Sequence, residues 1–262
     1  MPFLRAGGVR LEYESRGSPG SGPPLILLHE GLGSVAAWRG FPEALAGSTG
    51  RAVFVYSRRG YGLSDPLPGP LTPSFMHDEA RLLPAVLQAA GISDPVLIGH
   101  SDGASIALIH AAAPAAPAPD TPARALVLLA PHVFVEEETL AGIREVSTRY
   151  HAGDFGARWR RTQGEHADRT FAAWTEVWLS PAFRDWNIEA GLPRIRCPVL
   201  AIQGEDDQYG TTRQLEAIRT GVGGAVDTLL LPSCGHAPQR DRPEETLEAI
   251  RRFVSSAATP AA

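Results

Sequence analysis

The sequence contains no lysine; all 24 of its basic residues are arginine. That absence excludes every mechanism that needs a lysine amine, namely a Schiff base, attachment of pyridoxal phosphate and the G-K-[ST] phosphate loop. Cysteine is nearly as scarce. Cys197 and Cys234 cannot form a disulfide framework and read as core thiols. No CxxC or HExxH spacing offers metal ligands, so neither a metal nor a cofactor is expected. No stretch reaches the ~18 apolar residues of a membrane span. The opening MPFLRAGGVRLEYESRG lacks the long apolar core of a signal peptide. Net charge is -5 with no run of basic residues, which argues against a grip on nucleic acid or an anionic membrane. The expectation is a soluble, cytoplasmic protein acting on a small molecule, with neither nucleic acid nor membrane as partner.

What is present points to an α/β chain. At 262 residues and 44% hydrophobic content, the chain can bury one sizeable core. Short apolar runs recur as PLILLH, AVFVY, PVLIGH, ALVLLAP, PVLAIQG and DTLLLP, each readable as a fully buried strand. Helical patterns separate them: SVAAWRGFPEALAG, FMHDEARLLPAVLQAAG, ASIALIHAAA, TRQLEAIRT and PEETLEAIRRFV. The alternation predicts a mostly parallel sheet with helices on both faces. VRLEYESRG with GSPGSGPP reads as paired strands closed by a Gly/Pro turn, and APAAPAPDTPA as a loop.

One segment breaks the rhythm. From His132 to Ala190 the pattern is helical, charged and aromatic, and it holds Trp159, Trp174, Trp178 and Trp186, four of the five tryptophans. The expected organisation is a core of residues 1–131 and 191–262 with a helical lid at 132–190. Trp174 and Trp178 are then candidates for the wall of a substrate pocket, with plain packing as the alternative.

The chemistry concentrates in Gly99-His100-Ser101-Asp102-Gly103, between a predicted strand and a predicted helix. A serine hydroxyl is a weak nucleophile until a base takes its proton, so it needs an exposed turn and a nearby imidazole. Glycines two residues to either side of Ser101 allow such a turn. His236, in the Gly/Pro-rich loop LPSCGHAPQRDRP after the last predicted strand, is the candidate base. An acid to orient that imidazole is available among Glu205, Asp206 and Asp207, just after a strand. Asp102 needs no function of its own, since an acid in the first turn of a helix is favoured by the dipole.

The order Ser101, acid, His236 and the elbow pattern together resemble the α/β-hydrolase fold family, over nearly the whole chain. The resemblance implies that Asp207 is the acid, on the G-x-x-D match of Gly204 to Asp207, with Asp206 as the alternative. It also aligns Arg59-Gly60-Tyr61-Gly62-Leu63-Ser64 with the family's R-G-x-G-x-S, and Gly235-His236 with its final G-H. The family's oxyanion hole takes one backbone N–H from the residue after the nucleophile, here Asp102, and another after an early H-G pair. In His29-Glu30-Gly31-Leu32-Gly33, Glu30 stands in that histidine's place. A match on Gly31 makes Leu32 the donor, and a match on His29 moves it.

Within the family, SDGA, AGIREVS and IRCPVLAIQGEDD are similar to the biphenyl hydrolase-like, or valacyclovir hydrolase, group that cleaves α-amino acid esters. HEGLGS and FRDWNIE are similar to enol-lactonase-like hydrolases. The implied activity is cofactor-independent hydrolysis of a small carboxylic ester, with lactone or C–C bond cleavage as the alternative. The first group also implies that Asp102 receives a substrate amine. Two rivals compete with this reading. Gly31-Leu32-Gly33-Ser34-Val35-Ala36 fits a G-x-G-x-x-A dinucleotide fingerprint with Arg58 and Arg59 placed for a 2′-phosphate, as in an NADP-dependent oxidoreductase. The other rival is a fold that binds a ligand without catalysis.

Overall fold

Each of the six apolar runs becomes a strand in the computed structural model, which describes residues 2–18, 22–113 and 122–257. They are β3 (Leu25–Leu28), β4 (Val53–Tyr56), β5 (Val96–His100), β6 (Ala125–Leu129), β7 (Val199–Gly204) and β8 (Val226–Leu231), preceded by β1 (Phe3–Ala6) and β2 (Val9–Arg16). The sheet order is β1-β2-β4-β3-β5-β6-β7-β8, parallel from β4 onward and antiparallel through β1 and β2. β3 to β7 are buried along their whole length because helices cover both faces.

The helices are α1 (Phe41–Thr49), α2 (Phe75–Ala89), α3 (Asp102–Ala112), α4 (Glu137–Ala152), α5 (Asp154–Gln163), α6 (Ala167–Leu179), α7 (Arg213–Gly221), α8 (Pro238–Asp241) and α9 (Pro243–Ala257). Alternate strand residues divide the core in two. Leu25, Leu27, Val53 and Val55 pack with Leu45 of α1 and Phe253 of α9, whereas Ile26, Leu28, Phe54 and Tyr56 pack with Leu83 of α2 and Ile106 of α3.

Residues 132–190 carry α4, α5 and α6 between β6 and β7. The two ends of the segment meet at a narrow neck, where Phe134 bridges Asn187 and the Ile188 N–H donates to the Val133 carbonyl at 2.8 Å. Tyr150, Trp159, Ala167 and Phe171 form a small core of its own, while Trp174, Trp178 and Trp186 join the main core.

Three expectations change. The N-terminal hairpin is β1 with β2, closed at Gly7-Gly8 rather than at GSPGSGPP, because the short FLRA run pairs with β2 at the sheet edge. β8 is partly exposed, since it forms the opposite edge with a neighbour on one side only. The residues after Gly31-Leu32-Gly33 make only a single 3-10 turn, Val35–Trp38. Most of the loop expected over 113–123 lies outside the described residues. Among the described residues no helix is long and apolar enough to cross a membrane.

Candidate active site

β5 ends at His100 and α3 begins at Asp102, leaving Ser101 alone to reverse the chain at φ 54° and ψ -120°. Only close packing holds a non-glycine residue in that left-handed region. A Cβ at Gly99 would lie 2.3 Å from the Gly103 carbonyl oxygen, and one at Gly103 would lie 2.0 Å from that of Leu28. The two glycines therefore let strand, turn and helix nest, which raises the serine above the strand ends.

His236 and Asp207 arrive on the loops after β8 and β7. The Ser101 hydroxyl lies 2.9 Å from His236 Nε2, and His236 Nδ1 lies 2.8 Å from Asp207 Oδ1. A carboxylate only accepts, so Nδ1 carries the proton and Nε2 is free to take the one on serine. Asp207 Oδ1 also accepts the Tyr209 N–H at 2.9 Å, and Oδ2 accepts the Gln203 amide at 3.3 Å. Burial acts to raise the Asp207 carboxyl, but the charge and hydrogen bond of His236 outweigh it and hold it below the usual range. Asp206 is exposed and, among the described residues, bonds only through its backbone, donating to the Cys234 carbonyl at 2.9 Å. The acid facing the imidazole is Asp207.

Two backbone donors, at Asp102 and Leu32, are left without an acceptor among the described residues. Asp102 opens α3, so its N–H has no intrahelical acceptor. The Asp102 side chain is buried, with Oδ2 accepting the Trp174 indole N–H at 3.1 Å. A Cβ at Gly31 would meet both groups, which places this pair directly against the loop that carries Gly31 and Leu32.

Sequence reasoning overlooked what faces Asp102. Arg58 Nη2 is 4.0 Å from the Asp102 carboxylate, with both side chains 1% exposed. The same guanidinium donates to the Glu30 carbonyl at 2.8 Å. Burial raises the Asp102 carboxyl against the opposing pull of Arg58 and the Trp174 bond. Asp102 Oδ1 has no partner among the described residues. Nothing in the spacing of RRGYG announced this pair, although an arginine at the end of a buried strand is a cue that it needs a counter-charge.

The helical segment closes over these loops. Trp159 Nε1 donates to the Leu32 carbonyl at 2.6 Å. Gln163, fully buried, accepts the Gly62 N–H at 2.9 Å and donates to the Gly33 carbonyl at 3.2 Å. Trp174 thus touches the site through Asp102. Trp178 instead packs among Phe183, Trp186 and His132, and His132 in turn lies against the His236 ring at 5.6 Å. A cavity of about 730 Å³ opens elsewhere, between α2, α3 and residues 187–197, and includes none of Ser101, Asp207 and His236. Among the described residues no three His, Cys, Asp or Glu side chains converge as metal ligands.

A model of the alpha/beta hydrolase family matches residues 25–249. The chain belongs to that family. A curated relative, the sn-1-specific diacylglycerol lipase ABHD11 of Xenopus tropicalis, is 33% identical over 107 residues, which are 38% of this chain and 30% of the relative. The match therefore spans less than a third of that relative. Among solved structures, an esterase from Thermogutta terrifontis superposes with a TM-score of 0.74 at 21% identity, covering 98% of this hydrolase and 99% of the esterase. The enol-lactonase of Burkholderia xenovorans LB400 gives 0.74 at 19% identity, covering 97% and 100%. Likeness at such identities speaks for the fold.

The family assignment removes the dinucleotide reading. GLGSVA lies inside the matched region, its helix is one 3-10 turn, and Arg58 is buried against Asp102 and Glu30 rather than open to a phosphate.

Proposed function

We propose that this hydrolase is a cofactor-independent serine esterase acting on small carboxylic esters with an uncharged acyl group. Ser101 Oγ attacks the carbonyl carbon while His236 Nε2 takes its proton, and Asp207 stabilises the imidazolium that forms. The N–H groups of Leu32 and Asp102 receive the oxyanion. Collapse of the tetrahedral intermediate expels the alcohol, protonated by His236. Water, deprotonated by the same imidazole, then releases the acid and restores Ser101. Residues 132–190 serve as the lid, with Trp174 and the Trp178 cluster behind the acyl side.

The observation that carries this reading is the relay itself, 2.9 Å from Ser101 to His236 and 2.8 Å from His236 to Asp207, with serine on a strained turn. The preference for an uncharged acyl group rests on Arg58, which already supplies Asp102 with a cation. The partnerless Oδ1 of Asp102 favours a second reading, in which an α-amino ester places its ammonium there. Lactones use the same parts and belong in the same substrate panel. A fluorophosphonate probe should label the wild type once, at Ser101, and Ser101→Ala should lose both labelling and turnover while keeping its fold. Labelling that persists in the variant would overturn the triad.

A further inference from the structure

Behind the triad lies a second carboxylate–imidazole pair that the proposed mechanism does not use. His100 is 2% exposed, and its Nε2 lies 2.7 Å from the backbone carbonyl of His236. A carbonyl only accepts, so His100 carries a proton on Nε2 and holds the loop of His236 by its main chain. The other ring nitrogen, Nδ1, faces the Gln239 amide nitrogen at 3.1 Å and Glu30 Oε2 at 3.4 Å. Glu30 Oε1 is 3.2 Å from Arg240 Nη2, at the start of the helices that follow His236. Burial opposes a charge on Glu30, but the neighbouring His100 and Arg240 keep its carboxyl well below the usual range.

Glu30 also anchors the oxyanion loop. Its carbonyl takes the Gly33 N–H at 3.0 Å, His29 Nδ1 at 2.7 Å and Arg58 Nη2 at 2.8 Å. One residue thus fixes the loop before Leu32 with its main chain and reaches the His236 loop with its side chain. His236 itself sits in irregular chain between β8 and α8, where little regular structure fixes it. We propose that Glu30 and His100 are positioning residues that lock the His236 loop to the oxyanion loop, so that base and oxyanion donors keep one spacing. The proposal rests on the serine-esterase reading above. It also gives a task to the acid that stands in the usual histidine place of the HEGLG segment.

The test is steady-state hydrolysis of a small chromogenic ester by His100→Leu, His100→Gln and Glu30→Gln, beside Ser101→Ala. Misplacing a catalytic group by about 1 Å costs on the order of a hundredfold, so His100→Leu should lose roughly tenfold to a hundredfold in kcat with KM within about twofold. His100→Gln, whose amide can still donate to the His236 carbonyl, should recover to within about threefold of wild type. Glu30→Gln should lose kcat about three- to tenfold, again with KM kept, and it decides the matter if the leucine variant does not fold. Wild-type kcat in Glu30→Gln, or equal losses in the leucine and glutamine variants at His100, would overturn the pair. Turnover surviving in Ser101→Ala overturns the esterase reading instead, so the two failures are told apart.

Discussion

Replacing Asp102 by asparagine asks how the site beside Ser101 is charged. The carboxylate is 4.0 Å from Arg58, and neither side chain is more than 1% exposed. At that distance and an effective dielectric constant of about 20, the attraction is about 4 kcal/mol. A ligand ammonium hydrogen-bonded to a carboxylate contributes about 1.5 to 3 kcal/mol. Arg58 is already in place, so an incoming ammonium meets a pair that is neutral overall. Asparagine keeps an acceptor for the Trp174 indole, so the contact that closes the helical segment survives. The assay is kcat/KM for an α-amino ester and its des-amino partner in both proteins. In the wild type, where the pair is neutral overall, the ratio should lie within about threefold of one, or about 0.7 kcal/mol, and in Asp102→Asn it should fall because Arg58 is left uncompensated. A wild-type preference of tenfold or more for the amino ester refutes the charge argument and makes Asp102 the receptor of a substrate amine.

Other outcomes follow from neighbouring contacts. Asp207→Asn should lower kcat by roughly 10⁴, the effect of the same change in the serine protease triad, while Asp206→Asn stays within about threefold. Reversed effects in this pair of variants mean that the acid is misassigned. Trp178→Ala should destabilise the fold by about 3 to 5 kcal/mol, read by denaturant unfolding, because its ring is wedged among Phe183, Trp186 and His132. Trp174→Phe, which takes the indole donor from buried Asp102, should cost about 1 to 3 kcal/mol of stability and also alter the preference among acyl groups; uniform losses on all esters would leave it a packing residue. Burial, helped by His236, pushes His132 down from 6.5 to about 3. Its neutral form thus contributes stability that is present above pH 6.5 and lost as the pH falls toward 3, because only the unfolded chain binds the proton there. His132→Asn cannot titrate, so its stability should gain on the wild type by about 1.4 kcal/mol per pH unit between about pH 6 and 4. Parallel stability curves would show that His132 is not buried neutral.

The sheet and the relay were legible because their signals are local. A buried parallel strand must be apolar along its length, so LILL, VFVY and VLIGH stand out, and the elbow needs glycines at fixed offsets. The choice of Asp207 over Asp206 came from a family resemblance, since both are acids in one turn and only the fold decides which faces the imidazole. Contacts between distant segments were not legible. Arg58 with Asp102, Gln163 with Gly33 and Gly62, and Glu30 with His100 and Arg240 each join residues dozens of positions apart, through side chains whose types permit many partners. FLRA escaped notice as a strand because four residues are too short a run to show a period.

The bonds from Trp159 and Gln163 to the Leu32-Gly33 carbonyls bear on how such enzymes are recombined. The helical segment holds the Leu32 and Gly33 carbonyls, in the peptide units that follow the proposed Leu32 donor, so its sequence bears on where that donor sits as well as on the walls around an acyl group. A chimera that grafts a relative's segment onto this sheet at the Phe134–Asn187 neck inherits a differently tensioned Leu32-Gly33 loop even when every pocket residue is chosen well. Turnover of the smallest ester, which touches few of the walls, then becomes the most sensitive gauge of whether the graft has seated.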